Sequence, residues 1–255
     1  MKLYSKIYGK GDPLIILHGL FGMSDNWNSI GKRISNYFEV HLVDLRNHGK
    51  SPHDSQFNYQ VMTEDIKLYI QDYSLNNVII LGHSLGGKVA MSLASYYPFL
   101  LKKMIIIDIA PKEYSVDFHL GILKNLIAFN LKEYNSRKAI DISLKKKIKD
   151  NATRLFLMKN LYRNQEKRFA WRFNIFALQD QIKNISTANF ILEKIQIPTL
   201  FIKGENSNYI VLEDYQNINY YFPLSSIKVI KNTGHWIHAE EPLILQEALI
   251  EFIKE

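Results

Sequence analysis

The chain contains no cysteine. Disulfide staples, thiolate nucleophiles and zinc–thiolate sites are excluded together. It also lacks any long apolar run. The strongest near the start is residues 14–17, far short of the roughly 20 residues that span a bilayer as a helix. Lysines interrupt the first ten residues too early for a signal-peptide core, so a cytoplasmic location is expected. No internal repeat and no low-complexity linker is found. What is present is a chain of 255 residues, 47% hydrophobic and 22% charged. That is the balance of a globular protein, and the length is enough to bury a core without staples.

The formal net charge of +7 is unevenly placed. Residues 112–194 hold 17 Lys/Arg against 8 Asp/Glu, so the rest of the chain is slightly acidic. Basicity confined to one segment, without a recognised binding motif, gives no support to nucleic-acid binding.

Six short apolar runs mark candidate strands, at residues 14–18, 40–43, 78–81, 104–107, 199–202 and 227–230. Runs this apolar are what strands buried on both faces look like. Helical patterns lie between several of them. Residues 59–73 put Val61, Ile66, Tyr69 and Ile70 at helical spacing, residues 89–96 are rich in helix formers, and residues 243–253 close the chain. Strand–helix alternation predicts a doubly wound, mostly parallel sheet, with ligands bound at the carboxyl ends of the strands. The alternation breaks after Pro111. Residues 112–195 read as a helical insertion without a strand, with helices near 118–129, 143–159 and 167–178. Residues 1–111 and 196–255 then form the core.

Gly82-His83-Ser84-Leu85-Gly86 stands between an apolar run and a helical pattern. A G-x-S-x-G segment in that setting is a nucleophile elbow. The turn is so tight that its flanking residues must be small, and the serine hydroxyl projects into the site. A serine needs a base, and a histidine held by a carboxylate serves well. Of eight histidines, His235 follows the last apolar run in Thr233-Gly234-His235-Trp236. His238, three residues on, is better read as packing than as one of a metal pair, and no metal or cofactor is expected. For the carboxylate, Asp108 lies at a strand end between Ile107 and Ile109, where burial is costly without a donor partner such as histidine. Glu205 is the alternative acid. Asp44 reads as structural, bracing the loop through Ser51.

Four blocks resemble the α/β-hydrolase superfamily. They are Leu17-His18-Gly19-Leu20-Phe21-Gly22, the stretch from Asp44 through His53, Gly82 to Gly87, and the stretch from Gly234 through Pro242. The second and fourth are most similar to the YbfF-type bacterial esterases. The resemblance implies an α/β-hydrolase fold with a helical lid and His235 as catalytic histidine. It implies an oxyanion hole from the N–H groups of Leu85 and of Leu20, with Phe21 competing for the second place. Most of the superfamily carries its acid in the loop after the lid, where Ser207 stands here. The YbfF-type branch places it at the strand end that Asp108 occupies, so the two lines of reasoning agree.

The expected activity is cleavage of a carboxylic ester or thioester through an acyl-enzyme on Ser84. A perhydrolase, a C–C hydrolase, a lysophospholipase or a non-catalytic binding protein on the same fold are the alternatives. The basic segment admits an anionic small-molecule substrate such as acyl-CoA, or acyl carrier protein.

Overall fold

The computed structural model describes residues 1–190 and 193–255. Seven strands form the main sheet, in the order β1-β3-β2-β4-β5-β8-β9. They are β1 (Ser5–Tyr8), β2 (Pro13–Leu17), β3 (Glu39–Val43), β4 (Val78–His83), β5 (Leu101–Ile107), β8 (Thr199–Gly204) and β9 (Ser225–Ile230). All neighbours pair in parallel except β1, which runs antiparallel to β3 at the edge. All six expected strands are there. β1 was not anticipated, because four half-exposed residues carry too little apolar pattern to register.

Side-chain alternation sorts the strands onto two faces. Ile15, Leu17, Ile80, Met104, Ile106 and Phe201 pack on one side, with α2 (Tyr59–Asp72) and α3 (Leu85–Tyr96). Leu14, Ile16, Ile79, Leu81, Ile105 and Ile202 pack on the other, against α1 (Asn28–Ile34) and α10 (Pro242–Lys254). Burial on both faces is why these strands read as unbroken apolar runs.

Between β5 and β8 lies the insertion. It carries α4 (Asp117–Ile127), α5 (Arg137–Leu144), α6 (Asn151–Met158) and α7 (Ile175–Gln181). Two expectations fail within it. The helix expected over 143–159 is two helices. Asp150 caps the second by accepting from the Thr153 N–H at 2.7 Å, a better start than continuing through four lysines. The helix expected over 167–178 begins instead as a strand. β6 (Leu161–Arg163) and β7 (Phe169–Trp171) make an antiparallel hairpin. Its turn has no Gly or Pro. Asn164 Oδ1 accepts from the Glu166 and Arg168 N–H groups, and Lys167 takes a positive φ of 59°. Arg163 stacks over the Phe169 ring at 4.2 Å, fixing the pair. After β8 come α8 (Asp214–Tyr221) and α9 (Ile237–Glu240). Among the described residues no helix is long and apolar enough to cross a membrane.

Candidate active site

Ser84 sits between β4 and α3 with φ 52° and ψ −114°, a conformation that strains an L-residue by about 1–3 kcal/mol. Its neighbours show why the turn needs glycine. A Cβ on Gly82 would stand 2.2 Å from the Gly86 carbonyl oxygen, and one on Gly86 would stand 2.4 Å from that of Leu17. The Ser84 N–H donates to the Ile107 carbonyl at 3.0 Å, tying the turn to the tip of β5. The next residue past that tip is Asp108, also at positive φ.

Asp108 is wholly buried, and its carboxylate has three donors. His235 Nδ1–H donates to Oδ2 at 2.7 Å, Gly204 N–H donates to Oδ1 at 3.2 Å, and the Ser207 hydroxyl donates to Oδ2. Three hydrogen bonds offset the desolvation of a buried carboxylate. Glu205 is elsewhere. It is exposed and accepts from the Asn232 N–H at 2.9 Å in the turn after β9. Ser207, which stands in the loop after β8, is instead a donor to the Asp108 carboxylate.

Ser84 and His235 line one narrow cavity, walled by Phe118, Phe156, Leu157 and Trp236. A larger open depression of about 1370 Å³ beside Arg46 and Gln181 holds neither residue and is rimmed by polar side chains. Leu85 opens α3, so its N–H has no intrahelical acceptor. The Leu20 N–H finds no acceptor among the described residues. The Phe21 N–H does, donating to His48 Nε2 at 3.1 Å.

Several residues at the site gave no readable signal in the sequence. The Tyr209 ring stacks on His235 with centroids 3.8 Å apart. Tyr209 is held in turn by Tyr114, whose hydroxyl donates to its carbonyl at 2.5 Å and accepts from the Ala110 N–H. His119, on α4, borders the Ser84 cavity, and burial pushes its imidazole down to about 4. His83, inside the elbow, donates from Nε2 to the His235 carbonyl at 2.9 Å, so Ser84 and His235 are braced by the same turn. His238 stacks on Trp27 at 4.5 Å, a packing contact. Asp44 braces its loop as expected, accepting from the Ser24 and Lys50 N–H groups while its carbonyl accepts from Ser51.

Residues 12–242 match the family model described as alpha/beta hydrolase fold. The chain belongs to the α/β-hydrolase family. Its relatives include the sn-1-specific diacylglycerol lipase ABHD11 of Danio rerio, 35% identical over 98% of this chain and 82% of that protein. Esterase YbfF of Escherichia coli is 31% identical over 95% of this chain and 93% of its own. Among solved structures, a marine microorganism esterase superposes with a TM-score of 0.96 at 39% identity, covering 99% of each chain.

Two buried imidazoles of this hydrolase predict acid sensitivity. His18 and His48 accept N–H groups at Nε2 and donate from Nδ1 to carbonyls. Burial pushes them down to about 4 and about 3. Unfolded, each binds its proton near pH 6.5, so the unfolded chain protonates first. Their stabilisation is complete above that value and is lost as pH falls towards the folded values. For His18 alone it amounts to about 3 kcal/mol. The melting temperature should hold steady above about pH 7 and drop between about 6.5 and 4, before most carboxylates titrate. A level profile across that interval would contradict this.

Proposed function

We propose that the protein is a serine hydrolase that cleaves carboxylic esters or thioesters through an acyl-enzyme on Ser84. The observation that carries this is the 2.7 Å bond from His235 Nδ1 to buried Asp108, with His235 and Ser84 lining the same cavity. The bond leaves Nε2 of His235 free to take the serine proton. Ser84 attacks the carbonyl carbon, and the developing oxyanion is held by the N–H groups of Leu85 and Leu20. Leu20 is preferred to Phe21 because the Phe21 N–H already serves His48. His235 then protonates the leaving group. Water enters on the same side, gives its proton to His235 and hydrolyses the acyl-enzyme. Asp108 stabilises the imidazolium in both halves. Relatives named esterase and lipase support this reading. In it, residues 112–195 are a lid, since α4 and α6 supply cavity walls to a nucleophile on the core.

A fluorophosphonate probe should label the protein once, on the peptide bearing Ser84, and p-nitrophenyl butanoate should turn over. An unlabelled, inert but folded protein would defeat the reading.

The lid's exposed Lys145, Lys146, Lys147 and Lys149 favour a leaving group that is itself anionic, such as coenzyme A or acyl carrier protein. Rising salt should then lower kcat/KM steeply for acyl-CoA and little for a neutral ester. Equal salt responses would remove this part of the reading.

A further inference from the structure

Ser84 opens onto two cavities. The first, described above, contains His235 and Trp236. The second, also narrow, shares Leu20, Ser84, His119 and Tyr209 with it but does not reach His235. A leaving group must be protonated by His235, so it belongs in the first cavity. The group that stays bonded to Ser84 then occupies the second, whose walls include Leu85, Ile109, Val116 and Ile185.

One feature of that wall does not suit a plain hydrocarbon chain. Lys88 lies one helical turn after Ser84 on α3, on the same face, and is only 2% exposed. Its ammonium donates to the Ser186 carbonyl at 3.1 Å and the Thr187 carbonyl at 2.8 Å. The Tyr114 ring lies 4.9 Å from it and the Tyr59 ring 5.7 Å. No carboxylate pairs with it among the described residues. An ammonium has three donors, and two carbonyl acceptors leave one with no oxygen partner, only the tyrosine rings. Burial draws the group down to about 7, against the weaker pull of the Glu113 carboxylate and with a small push from Lys112, so an anion placed directly beside it would favour the charged form. Three other hydroxyls of this cavity are already engaged. The Tyr59 hydroxyl donates to the Ile185 carbonyl, that of Tyr114 to the Tyr209 carbonyl, and that of Ser115 to Asp117. A buried cation with no carboxylate within ion-pair distance is costly, and a leucine or methionine would hold an alkyl chain better.

We propose that the second cavity is the acyl pocket and that Lys88 selects short acyl groups ending in a carboxylate, as in half-esters of dicarboxylic acids. This rests on the serine-hydrolase reading. The reaction is ordinary ester hydrolysis: the Ser84 oxygen replaces the alkoxide on the acyl carbon, and water then replaces the serine. The distal carboxylate only binds.

The test pairs ethyl hydrogen succinate, glutarate and adipate with ethyl butanoate, pentanoate and hexanoate, in which a methyl group replaces the carboxylate. In the wild type, at least one half-ester should match or exceed its neutral partner in kcat/KM. Lys88→Met should reduce that ratio by about tenfold or more, chiefly through KM, as expected for losing a charged hydrogen bond. Lys88→Arg should restore part of it. A wild type that prefers the neutral ester in every pair overturns the proposal without any variant, even if Lys88→Met fails to fold. An unchanged ratio in Lys88→Met overturns it too, and equal losses on both esters would make Lys88 a brace for Ser186 and Thr187 only. If p-nitrophenyl butanoate and every ethyl ester are inert, the hydrolase reading fails and the proposal fails with it. Turnover of neutral esters alone sinks only the carboxylate pocket.

Discussion

Ser84→Ala should lower kcat for p-nitrophenyl butanoate by on the order of 10⁶, by analogy with loss of the nucleophile in serine proteases. Alanine keeps a Cβ at the strained elbow, so the turn, the Leu20 and Leu85 N–H groups and both cavities should persist. The folded protein should therefore melt where the wild type melts and still bind ester, while fluorophosphonate labelling disappears. A residual rate of roughly 10³–10⁴ over water is expected from the oxyanion hole and binding. Labelling that persists in Ser84→Ala would move the nucleophile elsewhere. A rate that fell because the variant unfolded would show as a lost melting transition, and Ser84→Gly would then separate chemistry from folding.

The second large effect is expected at Asp108. Asp108→Asn should reduce kcat by on the order of 10⁴, as the equivalent change does in protease triads, because an amide holds the imidazole in the wrong tautomer. Glu205→Gln should be close to wild type, since the Glu205 carboxylate only receives the Asn232 N–H in an exposed turn. The reverse pattern would put the acid after the insertion. Asp108→Asn also confronts three donors, from His235, Gly204 and Ser207, with one acceptor oxygen and an NH₂. Some loss of stability should accompany the loss of rate, and a melting curve run beside the kinetics separates the two. Ser207→Ala removes one donor and keeps the carboxylate, so its loss in kcat should be far smaller than that of Asp108→Asn.

The placement of Asp108 follows from the sheet. β5 and β8 are parallel neighbours with Ile107 opposite Ile202, so their tips end side by side. A carboxylate from either tip can approach the same imidazole. In this chain the β5 tip supplies Asp108, which binds the His235 imidazole, and the β8 loop supplies Ser207, which hydrogen-bonds to that carboxylate. Asp108 and the loop position Ser207 thus meet at one point in space while Glu205 does not, and this contact could not be read from the β8 loop by itself.

The second cavity shows the same limit. Lys88 lies four residues from Ser84, yet its position in the sequence says nothing of its burial. Ser186 and Thr187, nearly a hundred residues on, supply its acceptors, and Tyr59 and Tyr114 come from two further segments. Tyr209 and His119 were silent for the same reason, since each matters through the rings it meets rather than through local spacing.

The sequence by itself determined the strands buried on both faces, because such strands must be apolar at every position. It determined the elbow, because backbone atoms approach Gly82 and Gly86 too closely for any side chain. It also singled out His235 and Asp108, each a polar residue just past an apolar run. The tertiary structure decided what depends on distant segments meeting. It paired Asp108 with His235 and Ser207, engaged the Phe21 N–H with His48, folded a hairpin where helix periodicity had been read, and divided the space around Ser84 in two. Local steric rules operate over a few residues and leave a pattern in sequence. Pairwise contacts across a hundred residues leave none, and they set which cavity each part of a substrate can enter.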